Sequence, residues 1–138
     1  MEIKSKKGFT LIEIVMVLAI IGIISSMIFP NFSTVQTKAK ETSLKSTCHT
    51  IQVALESYFL TNANYPNGNN LHIADLLTIL QNSGELINPP QNPFTNKTFS
   101  SSDSSGKITY TYEPETNIYT IIAKGINNQQ TIFTLQNI

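Results

Sequence analysis

From Phe9 to Phe29 the chain runs for 21 residues with one charged side chain, Glu13. As an α-helix rising about 1.5 Å per residue, that run spans about 31 Å, close to the hydrocarbon thickness of a bilayer. A buried helix of a soluble protein seldom stays this apolar for so long beside an N-terminus, so the run reads as a membrane segment. Lys4, Lys6 and Lys7 precede it and favour a cytoplasmic N-terminus. Lys38, Lys40 and Lys45 beyond it blunt that asymmetry.

A basic leader followed by an apolar run is also the layout of a secretory signal peptide, which would end in small residues at a cleavage site. Here the run ends Ser25-Ser26-Met27-Ile28-Phe29-Pro30, with no A-x-A-like site, and the conspicuous small residue is on the other side, at Gly8. The stretch Gly8-Phe9-Thr10-Leu11-Ile12-Glu13 resembles the cleavage and methylation motif of type IV prepilins and type II secretion pseudopilins. The resemblance implies that a membrane-embedded peptidase cuts between Gly8 and Phe9 and that Phe9 is then N-methylated. It makes Glu13 the family glutamate, whose carboxylate neutralises the N-terminal amine of a neighbouring subunit during assembly. Gly22 and Pro30 fall where many type IV pilins have a helix-loosening Gly and a Pro. In family terms the segment between them can unwind as a filament stretches.

At 138 residues the chain is long enough for one small domain plus an anchor. Formal charge is zero, from nine basic and nine acidic residues. Removing residues 1–8 takes away three Lys and Glu2, leaving six against eight, a mature chain of about −2 before its termini are counted. No Lys/Arg cluster survives, so strong nucleic-acid binding is not expected. Every basic side chain is Lys and Asn is abundant, a bias that an AT-rich genome would also produce. The one cysteine, Cys48, allows no disulfide within the chain, in contrast to many pilins, so the fold must rest on packing.

Between Asn31 and Tyr65 there is no Pro or Gly, and the pattern turns amphipathic. Leu44, Cys48, Ile51, Leu55 and Tyr58 share one helical face, flanked by Ala54 and Phe59. If Pro30 only kinks it, a helix from Phe9 to about Asn62 would be about 80 Å long. Its first half suits lipid or partner helices, its second a soluble core. The Asn-, Gly- and Pro-rich stretch from Asn62 to Asn70 ends it. A second helix is expected over 71–82, with Asn70 as candidate N-cap, Gly84 just past the end, and Ala74, Leu76, Leu77 and Leu80 inward. Residues 85–106 read as a loop, and a loop this long in a small domain is usually functional or disordered. Three strands follow: Ile108–Tyr112, with its Ile and Tyr on one face, Ile118–Lys124, and Thr131–Gln136 with Phe133 and Leu135 on one face. The expected fold is therefore α+β: a long N-terminal helix, membrane anchor then amphipathic half, packed on a small antiparallel meander. That layout is also the family's. The division expected is leader 1–8, apolar helix 9–30 and head 31–138.

Candidate chemistry is sparse. Cys48 on the apolar face suits an inert buried thiol. His49 points about 100° away from it, which disfavours a Cys-His dyad. No HExxH, paired Cys or nucleophile elbow is present, so no enzyme is expected. Major pseudopilins commonly hold calcium in an Asp-rich C-terminal loop. The corresponding turn here, Ala123 to Asn128, has no carboxylate, while Asp103, Glu113 and Glu115 are scattered, so no metal or other cofactor is expected. Asn92-Pro93-Phe94 resembles a short motif of the pseudopilin loop.

The function expected from the resemblance is a structural subunit of a helical filament of like subunits. Its partners would be membrane lipid before assembly, the prepilin peptidase and methylase, and an inner-membrane assembly platform. It would begin as a single-pass protein of the cytoplasmic membrane and end in a surface or periplasmic filament. The alternatives are the major pseudopilin of a type II secretion or competence system and, from another class, a membrane-anchored binding module that uses the 85–106 loop.

Overall fold

A computed structural model describes residues 8–137, without the side chains of residues 29–31. The expected leader, apart from Gly8, lies outside the described residues. The chain divides into two compact units, Met1–Gln36 and Thr37–Ile138. One helix, α1 (Leu11–Asn62, 52 residues), supplies most of the first unit and the longest element of the second. Its helical backbone runs through Pro30, but the side-chain environment of the expected kink there lies outside the described residues.

In the second unit the fold is the α+β arrangement expected. After α1 come β1 (Leu71–His72), α2 (Ile73–Asn82), β2 (Gln91–Asn92), β3 (Lys97–Thr98), β4 (Ile108–Glu113), β5 (Ile118–Lys124), a 3-10 turn (Ile126–Asn128) and β6 (Thr131–Gln136). The antiparallel sheet has the order β1-β4-β5-β6, four strands where three were expected. The added strand is two residues long. Leu71 pairs with Tyr110 and His72 with Thr109, so residues expected to start the second helix instead extend the sheet.

The amphipathic face of α1 forms the core. Leu44, Cys48, Ile51 and Leu55 are fully buried, in one cluster with Leu76 and Leu80 of α2 and with Ile108, Tyr110, Tyr119 and Ile121 of the sheet. In β4 the alternation of strand side chains puts Ile108, Tyr110 and Tyr112 inside and leaves the Thr residues half-buried. Burial in this core pushes the Cys48 thiol up to about 12, which suppresses the reactive thiolate.

One carboxylate is built into the edge of the core. The Tyr65 and Tyr119 hydroxyls donate to Glu56 Oε2 and Oε1 at 2.9 and 2.8 Å. Tyr65 also stacks on Phe59 and meets Tyr119 edge-on, each at 4.7 Å between centroids. Burial, reinforced by the neighbouring carboxylate, raises both phenols above their ordinary range and keeps them as donors.

The N-cap of α2 is His72 rather than Asn70. Asn70 sits at φ +53, with its N–H on the Thr111 hydroxyl, one pair before β1 begins. His72 is extended, and its Nδ1 accepts from the Ala74 N–H at 3.2 Å. The other end matches expectation: Gly84, at φ +83, follows the last turn, and the Glu85 N–H returns to the Leu80 carbonyl.

Because Nδ1 must accept, the His72 proton sits on Nε2, which is buried without a partner among the described residues. A second proton would put a donor against the Ala74 N–H. Burial, then Lys107, lowers the pKa from 6.5, against opposing contributions from Asp75 and Asp103. A histidine held neutral in the fold contributes stability above about pH 6.5 that is lost as pH falls through its lowered folded value. His72→Asn keeps a capping oxygen and removes the titration. Denaturant titrations at pH 7.5 and 5.5 should therefore show a smaller acid-induced loss of stability in the variant than in the parent. An equal loss in both would remove His72 from the pH response.

Candidate functional site

The first unit presents the residues singled out at the N-terminus. Gly8, Phe9 and Thr10 are non-helical and exposed, and α1 begins at Leu11. The Gly8–Phe9 peptide bond therefore lies in open backbone ahead of the first helical turn, the kind of segment a peptidase can bind extended.

Thr10 donates to Glu13 Oε2 twice, from its backbone N–H and from its hydroxyl, both at 2.7 Å. The Glu13 N–H lies 3.4 Å from Thr10 Oγ1. This reciprocal arrangement is a capping box, with Thr10 at N-cap and Glu13 at N3. It satisfies donors that the first turn of any helix leaves without intrahelical partners. The capping role of Thr10 adds to its place in the motif, and the spacing Thr10-x-x-Glu13 is itself the sequence signal for it. All the bonds described to the Glu13 carboxylate use Oε2, so Oε1 can accept from another group.

From Leu11 to Ile28 α1 is long and apolar enough to cross a membrane, and none of this stretch is buried within the chain. Gly22 lies inside it, and a Cβ there would meet nothing within 4 Å. Among the described residues no contact demands glycine, although glycine costs a helix about 1 kcal/mol relative to Ala.

Residues 3–29 match the family described as Prokaryotic N-terminal methylation motif. The chain is 38% identical over 66 residues to type II secretion system core protein G of Klebsiella michiganensis, covering 48% of this chain and 46% of the relative. It is 30% identical over 90 residues to the core protein G of Dickeya chrysanthemi, covering 65% and 52%. It is 40% identical over 53 residues to the type IV major pilin protein PilA of Myxococcus xanthus, covering 38% and 24%. The chain thus carries the prepilin-type N-terminal motif and is similar over part of its length to type II secretion core proteins G and to a type IV pilin. It spans about half the length of the core protein G relatives it matches, and no solved structure is a significant match.

Away from the N-terminus, the 85–106 region is less free than a loop. β2 and β3 pair as a small hairpin, Gln91 with Thr98 and Asn92 with Lys97. The hairpin is tied down by Asn92, whose side chain is fully buried. Asn92 Nδ2 donates to Asp103 Oδ2 and to the Ser105 carbonyl, each at 2.9 Å, and its Oδ1 accepts from the Phe94 N–H at 2.9 Å. Asp103 Oδ2 also accepts from the Ser100 N–H at 3.0 Å. No periodicity marks these partners, because they are brought together only by the path of the loop.

The Ala123–Asn128 turn does not suit calcium, which takes six to eight oxygen ligands. Asn128 Oδ1 is occupied by the Lys107 N–H at 2.9 Å, and Asn128 Nδ2 donates to the Asp103 carbonyl at 2.8 Å. Among the described residues, no three His, Cys, Asp or Glu side chains converge.

Proposed function

We propose that this chain is a filament subunit, made as a prepilin, cut between Gly8 and Phe9, methylated on the new Phe9 amine and polymerised through its apolar helix. The contrast between the two units supports this most directly. Residues 37–138 enclose their own core, whereas Leu11–Ile28 bury nothing within the chain. A helix of that character needs lipid or other helices around it. In this reading it rests in the cytoplasmic membrane as a single-pass anchor with its N-terminus in the cytoplasm. It then exchanges lipid for copies of itself at an inner-membrane assembly platform.

Each N-terminal residue then has a role. The exposed, non-helical Gly8–Phe9 bond is the substrate of the prepilin peptidase, and Phe9 receives the methyl group. Cleavage leaves a positive amine at Phe9, and N-methylation keeps it positive. Glu13, anchored by Thr10 through Oε2, offers Oε1 to the amine of an adjacent subunit. The open space around Gly22 suits close approach of another helix, and Gly22 and Pro30 together mark the segment that loosens under tension.

A secretion pseudopilus is the second reading, favoured by the recurrence of core protein G among the relatives and by the 90-residue match to one of them. Both readings share the same processing. Intact mass of protein taken from native membranes should show loss of residues 1–8 and gain of one methyl group. A mature N-terminus beyond residue 25 would mean an ordinary signal peptide and would overturn both.

A further inference from the structure

Three asparagines precede a small residue, an arrangement in which the next backbone nitrogen can reach the side-chain amide: Asn62-Ala63, Asn67-Gly68 and Asn82-Ser83. The fold treats them differently. Asn62 and Asn82 are the last residues of α1 and α2, and the nitrogens that follow them are engaged. The Ala63 N–H donates to the Phe59 carbonyl at 2.8 Å, and the Ser83 N–H to the Ile79 carbonyl at 3.0 Å. Asn67 is exposed in irregular chain between Pro66 and Gly68. Among the described residues, nothing is hydrogen-bonded to its side chain or to the Gly68 N–H.

Packing explains why glycine stands beside Asn67. A Cβ at Gly68 would lie 3.0 Å from Leu71 Cβ and 3.3 Å from Tyr110 Cδ1, so a larger residue would have to displace those side chains. The same bareness leaves the Gly68 nitrogen unshielded. Both neighbours of Asn67 are fastened to β4. The Tyr110 hydroxyl donates to the Pro66 carbonyl at 2.9 Å, and the Tyr112 N–H donates to the Gly68 carbonyl at 2.8 Å. Asn67 lies between these two fastenings with its side chain in water.

We propose that Asn67 is a site of spontaneous modification, converted in the folded chain to aspartate and isoaspartate. Hydroxide removes the Gly68 amide proton, and the nitrogen attacks Asn67 Cγ. A C–N bond forms, the Cγ–Nδ2 bond breaks, and the amide nitrogen takes a proton from water and leaves as ammonia. Water then opens the cyclic imide at either carbonyl. Opening at Cγ restores the ordinary backbone and leaves aspartate. Opening at the backbone carbonyl carries the chain through the side chain, as isoaspartate. Isoaspartate adds a methylene to the backbone between the Pro66 and Gly68 fastenings and throws the two out of step. Aspartate adds only a charge in water.

The test incubates the folded full chain in detergent and mildly alkaline buffer, then maps its peptides by mass. Asn67 should convert at least about tenfold faster than Asn62 or Asn82, with isoaspartate among the products. Denaturant frees the Ala63 and Ser83 nitrogens, so in unfolded chain that margin should narrow. Equal conversion at the three sites in the folded chain would overturn the proposal. A margin that denaturant leaves unchanged would overturn the part given to the fold. The aged parent should also unfold at least about 4 °C below fresh protein. Aged Asn67→Gln should not, because the longer side chain closes a ring far less readily. The fold accommodates Gln there, since the Asn67 side chain is exposed and makes no bond among the described residues. An equal loss in the aged variant would place the damage elsewhere and overturn the role of Asn67.

Discussion

Glu13→Gln should leave the chain in the membrane, with its first helical turn capped, and cut the yield of shearable filament by at least about tenfold, the equivalent of about 1.4 kcal/mol. The substitution separates the capping role seen in the structure from the charge-pairing role proposed for the same side chain. Glu13 closes a capping box with Thr10, and Gln at the same N3 position can accept the same bonds. Only the charge is lost. In the proposed assembly a positive amine at Phe9 must enter a region of apolar helices, where an unpaired charge costs several kcal/mol and a partnered one much less. The amine of the same chain lies only one turn away, but a subunit that neutralised itself would gain nothing from docking. Pairing between staggered copies favours polymer over monomer and sets their register. Thr10→Ala is the complementary variant: it removes the cap, worth about 0.5–2 kcal/mol, and keeps the charge, so its effect on yield should be the smaller of the two. Processing and membrane levels are measured in the same cells. Normal filament yield from Glu13→Gln would reduce the residue to its capping role.

Asn92→Ala should destabilise the head by about 2–4 kcal/mol in denaturant titrations of the detergent-solubilised chain. The side chain is fully buried and makes three hydrogen bonds, each of which leaves a group behind when it goes: the Phe94 N–H, the Ser105 carbonyl and part of the Asp103 carboxylate. Asp103 keeps the Ser100 N–H, so its charge is not left bare. Gly106 offers a cross-check. It sits at φ +75, and a Cβ on it would stand 2.5 Å from Asn92 Oδ1 and 2.8 Å from Phe94 Cδ2. Gly106→Ala should therefore also destabilise. Its effect should shrink in the Asn92→Ala background, because one of its two clashes is then gone, although the backbone strain remains. Strictly additive losses, or a loss below about 0.5 kcal/mol from Asn92→Ala, would mean that the loop is held by other contacts.

Asparagine shows how composition and structure give different accounts of the same residue. Its abundance could reflect genome bias alone. Yet Asn70, Asn96, Asn117, Asn127 and Asn128 all occupy left-handed backbone, which asparagine tolerates better than most residues. Which asparagines take that role depends on the turns that the paired strands impose.

Elements whose information is local were legible from the residues alone. The apolar run, the amphipathic face through Leu44, Cys48, Ile51 and Leu55, the alternation in β4 and the Gly84 stop are each written within a few turns or pairs of residues. Local propensity and periodic burial act at that range. The processing motif is local as well, since a peptidase reads a short segment of chain. Contacts that join distant parts of the chain were not legible. Glu56 meets Tyr119 across 63 positions, and Asn128 meets Asp103 across 25. Leu71 and His72 look helical until β4 offers them a partner. Polar pairs of this kind leave no period in the sequence, because each depends on where a turn carries its partner. The sequence by itself determined an anchor, an amphipathic helix and a meander. Tertiary structure alone decided what locks the 85–106 region and what caps α2, since side chains settle these only after backbone packing has brought them within hydrogen-bonding distance.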